Sequence, residues 1–87
     1  MAKDLEFPIT ATTARPLCVI AEEIWSDWTK IYFGAVPYLE AMRALRTVAD
    51  PYGLDPGDEI VARFLANAGT WRGPVARRVK AELRAML

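Results

Sequence analysis

The chain contains no histidine and a single cysteine, Cys18. The first absence removes the commonest general base and the commonest metal ligand together. The second excludes a disulfide within the chain and leaves too few ligands for a zinc site. No uncharged apolar run approaches the roughly 20 residues of a membrane span. The opening segment, MAKDLEFPITATTARP, holds no apolar core of signal-peptide length. These gaps predict a cytoplasmic protein with no cofactor, no metal and no membrane partner.

What the chain does contain is apolar and aromatic. Hydrophobic residues make up 53% and charged residues 25%, a globular rather than a disordered balance. Eighty-seven residues make one domain. The stretch Ile24–Leu45 holds two of the three tryptophans and two of the three tyrosines, and Gly34-Ala-Val-Pro37 interrupts its helical pattern. It reads as two helices folded against each other, with aromatic side chains at the centre of a small core.

The expected fold is all-α: a compact bundle of about four helices over residues 16–87, after a short N-terminal arm, residues 1–15. In the arm Leu5, Phe7 and Ile9 alternate with other residues, and Pro8 argues against a central strand. The first helix is predicted over Pro16–Phe33, with Leu17, Ile20, Ile24, Trp28 and Ile31 on one stripe and Gly34 as a left-handed stop. Trp25 and Trp28 are expected to be hidden. The second is predicted over Pro37–Val48, with Leu39 outside its apolar stripe, where it either meets a second surface or is exposed, and residues 50–57 read as a loop. The third is predicted over Pro56–Ala68 with Asp55 as N-cap, and the fourth over Trp71–Met86, opened by Thr70.

Charge is segregated. Residues 1–59 carry ten acids against five bases, whereas residues 60–87 carry six bases against Glu82 alone. The basic end either attracts the acidic end or serves a partner. Within it, residues 60–84 read as helix, glycine-containing turn and basic helix, the outline of a helix-turn-helix. Arg72, Arg77, Arg78, Lys80 and Arg84 are then the candidate nucleic-acid contacts. Against this stand the zero net charge and Gly73-Pro74 in the first turn of the second helix, where long polar side chains belong.

Catalytic equipment is sparse. Glu22, Glu23 and Asp27 cluster on one helix, but no nucleophile, histidine or glycine-rich phosphate loop joins them. Their expected role is a solvated face, and that of Cys18 a small buried thiol.

The segments Tyr32-Phe-Gly-Ala-Val-Pro-Tyr-Leu-Glu-Ala-Met42, Asp50-Pro-Tyr-Gly53, Ile60-Val61 with Phe64-Leu-Ala-Asn-Ala68, Trp71-Arg-Gly73 and Ala76-Arg-Arg-Val-Lys-Ala-Glu-Leu83 resemble small proteins of unknown function encoded by actinobacterial phages and prophages. The resemblance runs from Pro16 to the C-terminus and implies a phage or mobile-element setting in a bacterial cytoplasm. It brings no activity and no site residues. The expected function is a non-enzymatic accessory role through protein–protein interaction, with a host or phage protein or with a second copy of the chain. Leu39, Tyr52, Leu54, Met86, Phe7 and Ile9 are the candidate interface residues. The alternative is a DNA-binding regulator using the basic helix.

Overall fold

The computed structural model describes residues 14–87. Phe7, Ile9 and nearly all of the proposed arm lie outside the described residues. Helix α1 covers Leu17–Asp27. A 3-10 turn, Phe33–Ala35, runs directly into α2, Val36–Met42. Two short strands follow, β1 (Pro51–Tyr52) and β2 (Asp55–Pro56), then α3 (Gly57–Ala66) and α4 (Pro74–Ala85). The chain is therefore mostly helical, but the expectation of a purely α-helical domain needs correcting.

The strands form an antiparallel hairpin, with Pro51 opposite Pro56 and Tyr52 opposite Asp55. Gly53 takes a φ of 63° while Leu54 does not go positive, the sign pattern of a type II′ turn. Composition alone marks this stretch as a loop. The Gly-first pair between Tyr52 and Asp55 is what turns it into a hairpin, and prolines at both outer positions keep the ladder from extending.

Helix α1 begins after Pro16, and its first two N–H groups are not left free. Leu17 N donates to Arg46 O and Cys18 N to Leu45 O, both at 2.9 Å. Orphan donors at the start of one helix are thus matched to carbonyls beyond the end of another. Leu17, Ile20, Ala21 and Ile24 are buried. The helix stops at Asp27, short of the expected Phe33. Trp28 leaves the helix with φ −89° and ψ 93°, and its ring stacks on Trp71 at 5.8 Å with 14° between planes. Phe64 meets Trp28 edge-on at 6.3 Å and Trp71 at 6.4 Å. Asp27 Oδ2 accepts a 2.9 Å hydrogen bond from Trp71 Nε1. A continued helix would have carried Trp28 along the α1 stripe instead. Gly34 is not in the left-handed region and is not the stop.

Helix α2 is one short segment with Pro37 in its first turn. It does not reach Val48. Ala44 N and Leu45 N turn to the tighter bonding of Ala41 O and Met42 O. Asp50 Oδ2 then accepts from Arg46 N at 3.0 Å and Thr47 N at 3.1 Å, fixing a turn where more helix was expected. Leu39 is fully buried, which removes it from the candidate interface. A residue off the apolar stripe either meets a second surface or is exposed, and Leu39 meets one because α2 packs on both α1 and α3.

Asp55 belongs to β2 rather than capping α3, whose N-cap is Pro56. Gly57, the first residue of α3, is buried and donates its N–H to Asp50 O at 2.8 Å. A Cβ here would stand 2.7 Å from Asp50 O, 2.9 Å from Val48 O and 3.0 Å from Thr47 O. All three are backbone atoms, so only glycine fits this approach. Helix α4 begins at Pro74, leaving Trp71 and Thr70 in the preceding turn. The hidden indoles are accordingly Trp28 and Trp71. Trp25 is only half-buried, with the Arg43 guanidinium 5.8 Å over its ring.

Trp28→Ala is expected to cost about 3–5 kcal/mol, enough to unfold the domain or nearly so. A thermal melt matching wild type would refute its place in the aromatic cluster. Gly57→Ala is expected to cost about 1–3 kcal/mol, read as a melting point lower by roughly 4–8 °C per kcal/mol. Gly69→Ala, where an added Cβ meets nothing within 4 Å, is the control and should melt within about 0.5 kcal/mol of wild type.

Candidate functional site

Helix α4 organises the charged surface. Ala76, Val79 and Leu83 are buried along its inner seam. At 3.6 residues per turn, Arg78 and Glu82 fall on one flank of that seam, and Arg77, Lys80 and Arg84 on the other. The two flanks have different fates.

The Arg78 flank is consumed by the fold. Arg15 Nε donates to Glu82 Oε2 at 2.9 Å and Arg15 Nη2 to Glu82 Oε1 at 2.7 Å, a two-pronged guanidinium–carboxylate pair. The same Nη2 lies 2.9 Å from Glu23 Oε1 on α1, and Glu23 also accepts from Arg78. Arg15, Glu23, Arg78 and Glu82 thus form one network tying the start of the domain to α1 and α4. The Arg78 hydrogen bond, helped by Arg15, holds the Glu23 carboxyl below its ordinary value. The Arg15 guanidinium is correspondingly held charged, chiefly by Glu82.

On the other flank no cation pairs with a carboxylate among the described residues. Arg72, Arg77 and Arg84 are exposed and make no ion pair with any described residue. Lys80 Nζ donates to Trp71 O at 2.7 Å and stands 6.0 Å over the Trp71 ring. Burial, and then the charges of Arg84 and Arg72, push the Lys80 ammonium below the usual lysine range. Of the five cations singled out in the sequence, one is therefore spent on Glu23, and four make no ion pair with a described carboxylate.

The base-reading part of a helix-turn-helix is not assembled. Residues 67–73 separate α3 from α4, and Gly73 has a φ of 109°. The first turn of α4 presents Pro74, Val75 and Ala76. A recognition helix contacts base edges from its N-terminal residues, and none of these three side chains carries a donor or an acceptor.

The apolar candidates also separate. Tyr52 is 44% exposed and Leu54 is 103% exposed, both at the hairpin tip. Met86 is half-buried against the core and lines a groove of about 400 Å³ with Pro16, Arg46 and Val48. Sequence reasoning missed Tyr32 and Phe33, 44% and 79% exposed, whose ring centroids lie 5.0 Å apart. They were placed inside the first helix. The Gly34-to-Pro37 interruption marks an end only after them; the earlier stop at Asp27 depends on Trp71, a partner distant in sequence.

The carboxylate cluster of α1 is dispersed. Glu22 pairs with Arg43 at 2.9 Å, Glu23 with Arg15 and Arg78, and Asp27 with the Trp71 indole. Cys18 is half-buried. Among the described residues no helix is long and apolar enough to cross a membrane. Comparison of the chain with protein-family models, with curated proteins and with solved structures finds no match.

A depressed Glu23 value makes stability depend on acidity with a definite sign. The unfolded chain binds the proton more readily, so the network's contribution is present above the ordinary glutamate value of 4.5 and is lost as pH falls through the lowered folded value. Melting points taken between about pH 6 and pH 3 should fall less steeply in Glu23→Gln than in wild type. Equal slopes would dissociate Glu23 from acid unfolding.

Proposed function

We propose that the protein is a non-enzymatic accessory protein of a phage or mobile element, working in a bacterial cytoplasm by binding another protein. The observation that carries this reading is Leu54, 103% exposed at the tip of a proline-bounded hairpin with Tyr52 beside it. A large apolar side chain held out in water by a two-residue turn contributes no burial to the fold. It suits insertion into a pocket of a partner, where central aromatic and aliphatic anchors carry most binding energy. The carboxylates of α1, the one place where acid–base chemistry could be sought, are each engaged by a cation or an indole. The resemblance of residues 16–87 to small phage and prophage proteins supports the setting. A second copy of the chain is the alternative occupant.

Capture from an actinobacterial lysate with tagged wild type and tagged Leu54→Asp, alongside light scattering, tests the reading. Wild type is expected to retain a defined protein, or to dimerise, and Leu54→Asp to lose at least tenfold of that binding. The two should melt within about 0.5 kcal/mol of each other, because the site is exposed. A monomer whose retained proteins are the same with and without Leu54 would remove the hairpin from any interface.

A further inference from the structure

We propose that the outer flank of α4, formed by Arg77, Lys80 and Arg84 with Arg72 at its head, is a sequence-independent binding site for the phosphodiester backbone of duplex DNA. The inference does not rest on the hairpin reading.

Three observations point there. First, charge on α4 is partitioned: Arg78 and Glu82 are used by the Arg15–Glu23 network on one flank, whereas Arg72, Arg77, Lys80 and Arg84 make no ion pair with a described carboxylate, the neighbouring Asp27 being bonded to the Trp71 indole. Second, the row is braced. Lys80 is fixed by its bond to Trp71 O and lies over a ring that is itself stacked on Trp28. Third, the cations are close enough to repel one another, since Arg84 and Arg72 both act against the Lys80 charge. A like-charged row held together by the core is stabilised by any ligand that brings alternating negative charge to it.

The occupant follows from what the flank lacks. Arg77 and Arg84 are seven residues apart, about 10 Å along the helix at 1.5 Å per residue. That exceeds one step between neighbouring phosphates of a strand, which wind around the axis while rising about 3.4 Å each, so the row can meet more than one phosphate at once. Alternation of Arg77, Lys80, Ala81 and Arg84 offers no large apolar anchor of the kind a protein interface buries. Single-stranded nucleic acid would call for stacking aromatics beside the cations, and the neighbouring indole, Trp71, is 2% exposed. With Pro74, Val75 and Ala76 at the helix start, base identity goes unread, so the contact is to phosphate alone.

The probe is a fluorescein-labelled mixed-sequence DNA duplex, about 20 bp, followed by anisotropy with the full chain from about 25 to 200 mM salt. Binding through three to four phosphates predicts a slope of log K against log salt of about −3. Arg77→Gln and Arg84→Gln should each weaken binding several-fold and reduce the slope by about 1. Lys30→Gln, a cation outside α4 with no ion pair to a described residue, should change neither. Leu54→Asp should bind as wild type, which keeps this result separate from the hairpin's. Both arginine side chains are exposed, and unchanged melts verify that the variants fold. No binding at the lowest salt, or binding that ignores Arg77→Gln and Arg84→Gln, overturns the proposal. Displacement of the duplex by poly-glutamate at equal charge concentration would do so too, reassigning the flank to an acidic protein.

Discussion

The contact on which the rest of the structure depends is the stack of Trp28 on Trp71. These residues are far apart in sequence and sit in neither of the helices they adjoin. Trp28 follows α1 in an extended conformation, and Trp71 precedes α4. The stack therefore joins two connecting segments and, through Phe64, the inner face of α3. Large rings in offset or edge-on contact supply burial and geometric preference together. The one polar atom of Trp71 that burial would strand is satisfied by Asp27 at 2.9 Å. Its partner is the last residue of α1, so the end of that helix and the placement of the indole determine each other. This is why α1 is shorter than its apolar period suggests.

Much of the fold was legible in periodicity. The inner stripe of α1, the presence of helices where α3 and α4 lie, and the loop-rich composition of residues 50–57 all follow from spacing and turn chemistry. What was not legible depended on distance in space rather than in sequence. Leu39 lies off the stripe of α2, and only the presence of α1 on one side and α3 on the other covers it. Gly57 looks like an ordinary loop glycine. Its role comes from three carbonyls of residues 47–50 closing on its Cα. Helix lengths were overestimated for the same reason, because a long-range partner, Trp71 for Trp28 or the Asp50 carboxylate for residues 46 and 47, offers the backbone a better bond than one more turn.

The charge pattern was half legible. A basic C-terminal third is plain in the sequence, but its division is not, because Arg77 and Arg78 are neighbours with opposite fates. One residue is about 100° around a helix, enough to send Arg78 to Glu23 and Arg77 to open water. Zero net charge is therefore a poor guide to the surface. Two carboxylates at α4, Glu23 and Glu82, pair with Arg15 and Arg78 rather than with Arg77, Lys80 or Arg84. Because a Debye length is about 8 Å at physiological ionic strength, a cation row feels its own neighbours more than the acids of a distant face.

Trp71 links the two halves of this description. Its ring completes the core, its indole nitrogen holds the end of α1, and its backbone carbonyl receives Lys80 at 2.7 Å. An ammonium beside Arg72 and Arg84 would relax away from them if its long side chain were free, since a lysine has ample rotamer freedom to do so. The carbonyl and the π face of the indole together keep it in the row, against both desolvation and repulsion. Loss of the aromatic stack would thus loosen the cations as well as the core. The surface of α4 is an extension of the packing beneath it, and its charge geometry is inherited from a contact between two tryptophans.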